Sequence, residues 1–242
     1  MTHAGVSDVY RHRMPTNTSG RLAGRRILVT SADTYMGPAI AQLFRDEGAD
    51  LVADSGDLIG PDEPRELIER CGELDAIVAN LDLPAYGAGT VDIEDEPWLA
   101  GFDAMVHPLM RLVRAAAPRM IERGSGSIAA VTSSSPLRRM TPHAIAYVAA
   151  RAAQNAYVRS AGHDLAKHGV RLNAIAQNFV ANDTYYPPET LANPRFQERL
   201  QREVPARRIG RPEETAELAL FLVGETSSFL FGQVISHDGG WS

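Results

Sequence analysis

The sequence predicts an α/β fold in which helices cover both faces of one doubly wound parallel sheet. Short apolar runs alternate with longer amphipathic segments along the chain, as strands alternate with helices in such sheets. The length of 242 residues suits one large domain of this class, and 44% apolar residues are enough to fill its core. Near the N-terminus, one apolar run turns directly into an amphipathic segment, which predicts a strand-turn-helix unit.

Six strands are predicted from short aliphatic runs bounded by polar or glycine-containing segments, at residues 27–29, 50–54, 75–80, 127–132, 170–175 and 233–236. Helices are predicted where apolar residues recur at helical spacing, near 39–44, within 57–70, and at 102–123, 144–167, 189–202 and 212–222. Residues 1–22 show no periodicity, so we expect a flexible N-terminal arm followed by a single domain over 23–242.

Composition excludes several classes of function. The net charge of −6 argues against a nucleic-acid partner or an anionic membrane surface. No apolar stretch approaches the ~18 residues of a membrane span, and the N-terminus lacks an apolar signal core. Cys71 is the single cysteine, which excludes an internal disulfide and suits a reducing cytoplasm. The seven histidines show no ligand spacing, so we expect a cytoplasmic protein without a metal site.

The segment from Thr30 to Gly37 has the position of a dinucleotide-binding glycine turn but lacks most of its glycines. In a Rossmann-like fold, such glycines let the backbone approach a pyrophosphate at a helix N-terminus. Aligned on the pattern T-G-x-x-x-G-x-G, the first glycine is Ser31, the second is Tyr35, and only Gly37 remains. An aromatic ring at Tyr35 would project into the volume that the nucleotide needs. We therefore expect the fold to be kept and the nucleotide cofactor to be lost.

Candidate catalytic residues follow the fourth predicted strand. Tyr147 and Arg151 are one helical turn apart and share a helix face. A guanidinium beside a phenol stabilises the phenolate, which makes it a better general base. Ser134 lies 13 residues before Tyr147, where its hydroxyl could share the substrate oxygen. Ser133 and Ser135 flank it, and spacing alone selects Ser134.

These features resemble the short-chain dehydrogenase/reductase superfamily over nearly the whole chain after the arm. Beyond the Tyr147–Arg151 pair with Ser134 upstream, the matching pieces are residues 171–175, 205–213 and 238–240. Within that superfamily, the sequence is similar to the halohydrin dehalogenases. That family is described by a Ser-Tyr-Arg triad in place of Ser-Tyr-Lys, and by an aromatic residue in the former glycine loop, which is Tyr35 here.

The resemblance implies a carbon–halogen lyase that uses no cofactor. Ser134, Tyr147 and Arg151 would be its catalytic residues. Tyr147 would remove the hydroxyl proton of a vicinal haloalcohol, after which the oxyanion attacks the neighbouring carbon and halide leaves. In reverse, a small anion such as halide, azide, cyanide or nitrite would open the epoxide. The resemblance also implies a homotetramer that pairs the helices at 102–123 and 144–167.

A halide or nucleophile site is implied at the loop after the fifth strand, with Tyr35 as its wall. The backbone amides of Phe179 and Val180 would form a small anion nest. Three residues complete the candidate site, namely Gln177, Asn178 and Tyr186. Tyr185 is a further candidate wall, and a loop-packing role is the alternative for both Tyr185 and Tyr186. Gln177-Asn178 stands where the dehydrogenases carry Pro-Gly, and Asn182 where they carry a threonine that touches nicotinamide, so the changes fall on cofactor-contact positions.

Two other functions are compatible with the same scaffold. The first is an atypical NAD(P)-dependent oxidoreductase, in which the loop tolerates Tyr35 and Arg151 replaces the usual lysine. Arginine and lysine are not interchangeable at a site that grips a ribose, and the lost glycines argue against hydride transfer. The second is a catalytically silent ligand-sensing protein. An intact Ser134, Tyr147 and Arg151 argues against it, because a pure binder has no need of a general base.

Overall fold

The computed structural model describes residues 20–83, 87–138 and 144–242. These residues form a six-stranded parallel sheet in the order β2-β1-β3-β4-β5-β6, which confirms the predicted fold class. Its strands are β1 (Arg26–Val29), β2 (Asp50–Ala53), β3 (Ala76–Asn80), β4 (Gly126–Ser133), β5 (Val170–Gln177) and β6 (Val234–His237). Because β1 pairs with both β2 and β3, the strand order reverses there, as at the switch point of doubly wound folds.

Eight helices and a π-helical segment flank the sheet within the described residues. They are α1 (Gly37–Asp46), α2 (Glu63–Cys71), α3 (Asp95–Gly101), the π-helical segment (Phe102–Val106), α4 (His107–Arg123), α5 (Ile145–Ala166), α6 (Pro188–Ala192), α7 (Pro194–Glu203) and α8 (Pro212–Val223). None of the helices in this part of the chain is long and apolar enough to cross a membrane.

Two predicted helices differ in extent from the observed ones. The helix predicted from residue 102 is preceded by α3, whose first turn carries Asp95 and Glu96 and so complements the helix dipole. The helix predicted over 189–202 is divided, because Pro194 disfavours helical backbone at Asn193. The Asn193 side chain instead caps α7 by accepting from the Arg195 amide at 2.9 Å.

Separate hydrophobic clusters cover the two faces of the sheet. On one face, α2, α4 and α5 pack through residues such as Leu67, Leu112 and Val158. On the other, α1 and α8 pack through residues such as Phe44 and Leu220. The central strands β4 and β5 are buried over almost their full length, as expected for a parallel sheet covered on both sides.

Most of the predicted N-terminal arm, residues 1–19, lies outside the described residues. Of its remaining positions, Leu22 is fully buried, and Arg21 pairs with Glu47 and Glu217 at 2.6 and 2.8 Å. All six strands are parallel, so their carboxyl ends lie at one edge of the sheet. The loops that follow Val29, Asn80, Ser133 and Gln177 meet at this edge and form the candidate site.

Candidate active site

A cavity of about 190 Å³ lies at the carboxyl edge of the sheet. It brings together six of the residues expected there from the sequence: Tyr35, Tyr147, Gln177, Asn178, Val180 and Tyr186. Ser135, Asn182, Tyr185 and Arg199 also line it. None of the described residues that line this cavity is acidic. The cavity is therefore better suited to an anion or a neutral molecule than to a cation.

The loop after β1 keeps the backbone path of a glycine loop while carrying side chains. Ser31 and Tyr35, which replace two expected glycines, have φ values of +44° and +55°. Left-handed backbone of this kind costs a non-glycine residue ~1–2 kcal/mol, so the surrounding structure must hold it. Asn80 contributes, because its side-chain amide donates to the carbonyls of Ser31 and Thr34, both at 3.0 Å. At Gly37, an added Cβ would lie 2.1 Å from the Ser31 carbonyl oxygen, which explains why this glycine remains.

The ring of Tyr35 closes the space between the β1 loop and the end of β5. It is 9% exposed, and its hydroxyl accepts a hydrogen bond from the Gln177 side-chain amide at 2.9 Å. Gln177 is itself held by Thr215, whose hydroxyl donates to its side-chain carbonyl at 3.1 Å. The ring also lies edge-on to Tyr185, with centroids 5.4 Å apart. Burial raises the pKa of Tyr35 well above its ordinary value, so this phenol stays neutral.

Arg151 is fully buried behind the cavity wall. One amino group, Nη1, donates to the carbonyls of Leu81 and Val131 at 3.0 and 3.2 Å and to Gln154 Oε1 at 2.9 Å. The other, Nη2, donates to the Tyr185 hydroxyl at 3.2 Å. Every one of these acceptors is neutral, and no carboxylate pairs with Arg151 among the described residues. The guanidinium is therefore an uncompensated buried cation.

Tyr147 lies beside this cation, with its ring centroid 5.2 Å from Arg151 Cζ. Burial alone would lower the pKa of Arg151, but the phenols of Tyr147, Tyr185 and Tyr35 raise it above its ordinary value. A buried charge interacts strongly with neighbouring groups, because little solvent screens it. Arg151 thus favours a negative charge on an adjacent phenol.

The hydroxyl groups of the four phenols around the cavity differ in their partners. Tyr185 donates to the Leu83 carbonyl at 2.8 Å, and Tyr186 donates to Asn178 Oδ1 at 2.7 Å. Burial raises the pKa of both residues. The Tyr147 hydroxyl lines the cavity and makes no hydrogen bond with the described residues. Of the four, Tyr147 is the one free to exchange a proton with a ligand.

The three consecutive serines at the end of β4 differ in their positions and hydrogen-bond partners. Ser135 lines the cavity, and its hydroxyl accepts from Ser133 at 3.1 Å. Ser134, which the spacing selects, is fully buried, and its hydroxyl has no hydrogen-bond partner among the described residues. Residues 139–143, which precede Tyr147, are outside the described ranges. The catalytic role of Ser134 stays a prediction, and Ser135 is a second candidate because of its place on the cavity wall.

The two amides predicted as anion donors in the loop after β5 differ in their partners. Phe179, with φ of +51°, donates its amide to Asn178 Oδ1 at 2.9 Å and to the Tyr186 hydroxyl at 3.3 Å. Its ring is buried, stacked on Tyr186 with centroids 5.9 Å apart. The amide of Val180 makes no hydrogen bond with the described residues, and Val180 lines the cavity. Of the two predicted anion donors, Val180 is unoccupied and Phe179 is engaged internally.

Sequence reasoning missed two polar residues of the site. Arg199, on α7, reaches the cavity from a helix distant in sequence, and no local pattern signals this. Its Nε donates to Glu203 at 3.0 Å, whereas Nη1 and Nη2 have no hydrogen-bond partner among the described residues. Gln154 follows Arg151 by three positions, a spacing that places two side chains on one helix face. That spacing could have found it.

Fold and site together define a Rossmann-like α/β domain with a ligand cavity at the carboxyl ends of its strands. A family model described as enoyl-(acyl carrier protein) reductase matches residues 64–242, which is most of the chain. The chain belongs to this family of the short-chain dehydrogenase/reductase superfamily.

Three known proteins illustrate the range of similar chains. The 3-oxoacyl-[acyl-carrier-protein] reductase FabG of Thermotoga maritima is 28% identical, over 91% of this chain and 98% of its own. A solved structure titled dehalogenation enzyme is 29% identical and superimposes with a TM-score of 0.84, covering 91% of this chain and 99% of the other. A halohydrin dehalogenase, HheC, bound to ethyl (2S)-oxiran-2-ylacetate, has a TM-score of 0.82 at 24% identity and covers 89% and 96%, which shows the shared fold.

Proposed function

We propose that this protein is a halohydrin dehalogenase, which converts vicinal haloalcohols to epoxides and opens epoxides with small anions. The carrying observation is the buried Tyr35 ring, hydrogen-bonded to Gln177 at 2.9 Å, in the space between the glycine-type loop and the end of β5. Tyr147 lines the same cavity, and Arg151 lies buried beside it. Similarity to the structure titled dehalogenation enzyme, at 29% identity over nearly its full length, supports the proposal.

Proton transfer is assigned to Tyr147. Its phenolate takes the proton of the substrate hydroxyl, and the resulting alkoxide forms a carbon–oxygen bond to the neighbouring carbon. The carbon–halogen bond breaks in the same step, and halide leaves with the bonding electrons. Arg151 stabilises the phenolate electrostatically, because no carboxylate among the described residues pairs with its charge. The hydroxyl of Ser134 or Ser135 donates to the substrate oxygen and holds it towards Tyr147.

Halide is assigned to the part of the cavity near Val180. The free amide of Val180 supplies a fixed donor, and Asn178 and Tyr186 stand beside it. Arg199 adds positive charge at the cavity wall, with two amino groups open to a ligand. Donors that are already in place for the leaving group are generally the largest electrostatic contribution to catalysis. A cavity of 190 Å³ is smaller than the ~300–1,000 Å³ of pockets for drug-sized ligands, so the substrates are small.

The second candidate is an NAD(P)-dependent oxidoreductase. Its support is the reductase family itself, together with the left-handed backbone at Ser31 and Tyr35, which keeps the path of a nucleotide-binding loop. A second cavity of about 200 Å³ lies at the ends of β1, β2 and β3, next to Ser31, Asp57 and Leu81. Against it stand the Tyr35 ring and an arginine at position 151.

The test is halide release from 2-chloro- or 2-bromo-1-alkanols of two to four carbons, without added nucleotide. The proposal expects release by the wild type and loss in Tyr147→Phe. A matched control is Tyr157→Phe, which alters another tyrosine of α5 that packs against the hydrophobic cluster instead of the cavity. Release by Tyr147→Phe at the wild-type rate would contradict the proposal. Turnover that consumes NADH or NADPH, without halide release, would establish the oxidoreductase instead.

We also propose a homotetramer in which α4 and α5 pair with those of neighbouring subunits. Trp98 and Leu99 of α3, which leads into α4, are 37% and 56% exposed and would extend this interface. Exposed apolar groups of this kind are common at subunit contacts. Light scattering after size-exclusion chromatography should give four times the mass of the chain, and a monomer would contradict the assembly.

A further inference from the structure

Gln154 links the guanidinium of Arg151 to a helix on the same side of the sheet. It is 1% exposed, and its Oε1 accepts from Arg151 Nη1 at 2.9 Å. Its Nε2 donates to the main-chain carbonyl of Met105 at 2.7 Å. Both hydrogen-bonding groups of this buried side chain are thus in use, which fixes the direction in which its carbonyl points.

The carbonyl of Met105 belongs to the π-helical segment Phe102–Val106 between α3 and α4. A π-helical turn interrupts the regular i to i−4 hydrogen bonds, and such turns occur frequently at functional sites. Here the turn presents a carbonyl to α5. The irregular backbone, Gln154 and Arg151 therefore form one hydrogen-bonded chain that ends beside Tyr147.

Resting on the function proposed above, we propose that Gln154 is a positioning residue, which holds the Arg151 guanidinium beside Tyr147 while leaving its positive charge uncompensated. A glutamine can do both, because its carbonyl accepts the Nη1 hydrogen and carries no charge. A carboxylate at this position would accept the same hydrogen bond but neutralise the cation. An apolar side chain would leave the charge but release one of its four contacts.

Other charged and titratable groups around the pair come from several elements. Tyr35 follows β1, Asp82 follows β3, and Tyr185 follows β5, and each contributes to the electrostatic surroundings of its neighbours. Tyr186 and Arg199 line the same cavity. The substitutions proposed below change none of these groups, so a shift that they produce reports the link between Gln154 and Arg151.

The experiment compares Gln154→Glu and Gln154→Met by kcat/KM for dehalogenation across pH. In Gln154→Glu, the acidic limb should move upward by about one pH unit or more, since an added nearby charge typically shifts a titration by ~1–3 units. At pH values below the limb, activity should therefore fall about tenfold, and it should recover at high pH. In Gln154→Met, kcat should fall by a factor on the order of 10. The acidic limb of its pH profile and its KM should stay unchanged. An unchanged pH profile in Gln154→Glu, or an unchanged kcat in Gln154→Met, would overturn the proposal.

Met105→Leu is the matched control, because Gln154 contacts the Met105 main chain and not its side chain. This variant should keep the wild-type pH profile. A shift like that of Gln154→Glu would mean that repacking of the core alone shifts the pH profile. The positioning role of Gln154 would then be refuted. Thermal unfolding of each variant verifies that the compared proteins are folded.

A second readout needs no activity. The near-ultraviolet absorbance of phenolate is titrated in each variant, with and without the additional Tyr147→Phe change, and the difference isolates Tyr147. Gln154→Glu should raise the midpoint of this difference by about one unit or more. If it does so in a protein without dehalogenase activity, the positioning role stands and the proposed function fails. An unchanged midpoint would overturn the positioning role itself.

Discussion

The loop after β1 and the first turns of α5 face the same cavity, but they depart from the dehydrogenase pattern in opposite ways. In the loop, the backbone keeps left-handed positions suited to glycine at Ser31 and Tyr35, whereas the side chains there fill space. On α5, Tyr147 and Arg151 keep the spacing of the tyrosine and lysine of the dehydrogenases, with an arginine in place of the lysine. Side chains can thus fill the space at a glycine-type loop while its backbone keeps the left-handed positions.

The two regions also differ in how their polar groups are satisfied. The Tyr35 hydroxyl is tied to Gln177, so the loop phenol acts as a fixed wall. The Tyr147 hydroxyl has no partner among the described residues, and its ring lies beside Arg151, which pairs with no carboxylate in that part of the chain. The Tyr35 hydroxyl is therefore held in place by the protein, whereas the Tyr147 hydroxyl is open to a ligand.

The largest effect is expected from Tyr147→Phe, which removes the hydroxyl that is free of partners among the four phenols described around the cavity. General bases typically contribute ~10²–10⁴-fold to rate, so dehalogenation should fall by about this factor. Halide affinity should stay near the wild-type value, because the aromatic ring at position 147 and the loop after β5 that is proposed to bind halide both remain. Initial rates of halide release measure the first effect, and a loss of only a few-fold would refute the general-base assignment.

A smaller loss is expected from Arg151→Lys. Lysine keeps the charge but cannot reproduce the planar arrangement of donors to Leu81, Val131 and Tyr185. Buried acceptors left without donors cost ~1–3 kcal/mol each, so the variant should be less stable as well as on the order of 10-fold to 100-fold slower. Chemical denaturation and rate measurements together check this. Full activity would show that a guanidinium is not specifically required.

On the loop side, Tyr35→Gly should weaken halide binding. The change removes the wall and admits water, which screens the Val180 amide and Arg199. It relieves ~1–2 kcal/mol of left-handed strain at position 35 but loses a buried aromatic ring worth ~3–5 kcal/mol, so the protein should also become less stable. Tyr35→Phe is the matched control, since it keeps the ring and loses only the bond to Gln177. An unchanged bromide dissociation constant in Tyr35→Gly would remove the pocket-wall role.

The smallest effect concerns the stability of the fold in acid and involves neither the β1 loop nor the first turns of α5. The Arg208 side chain and the Arg211 amide lower the pKa of Glu214, at the start of α8, from 4.5 to about 2. A carboxyl with a depressed pKa stabilises the fold above its ordinary value, and that contribution is lost as pH falls from 4.5 towards 2. Glu214→Gln should therefore flatten the fall of melting temperature in this range without changing dehalogenation at pH 7. An identical acid profile would refute the assignment.

The fold was predictable because the strand and helix signals are local. Apolar runs such as residues 170–175 are buried on both faces. The rule that ligands bind at strand ends selected Tyr35 and Gln177, and helical spacing to Arg151 selected Tyr147; all three line one cavity. The remainder depends on side-chain direction and distant packing, which spacing does not encode. Arg199 reaches the cavity through the docking of α7, and the Phe179 amide turns to Asn178 because of a left-handed backbone.

Ligand titration tests whether Tyr35 closes a nucleotide site and serves instead as the wall of an anion site. Wild-type protein is titrated with NADH, NADPH and bromide in parallel, with intrinsic fluorescence as the signal. Trp241 packs on Phe179, with ring centroids 5.9 Å apart. Because Phe179 belongs to the loop after β5 that is proposed to bind halide, the fluorescence of Trp241 should report binding. We expect saturable binding of bromide and no binding of either nucleotide. Saturable binding of NADH or NADPH, with no response to bromide, would contradict this expectation.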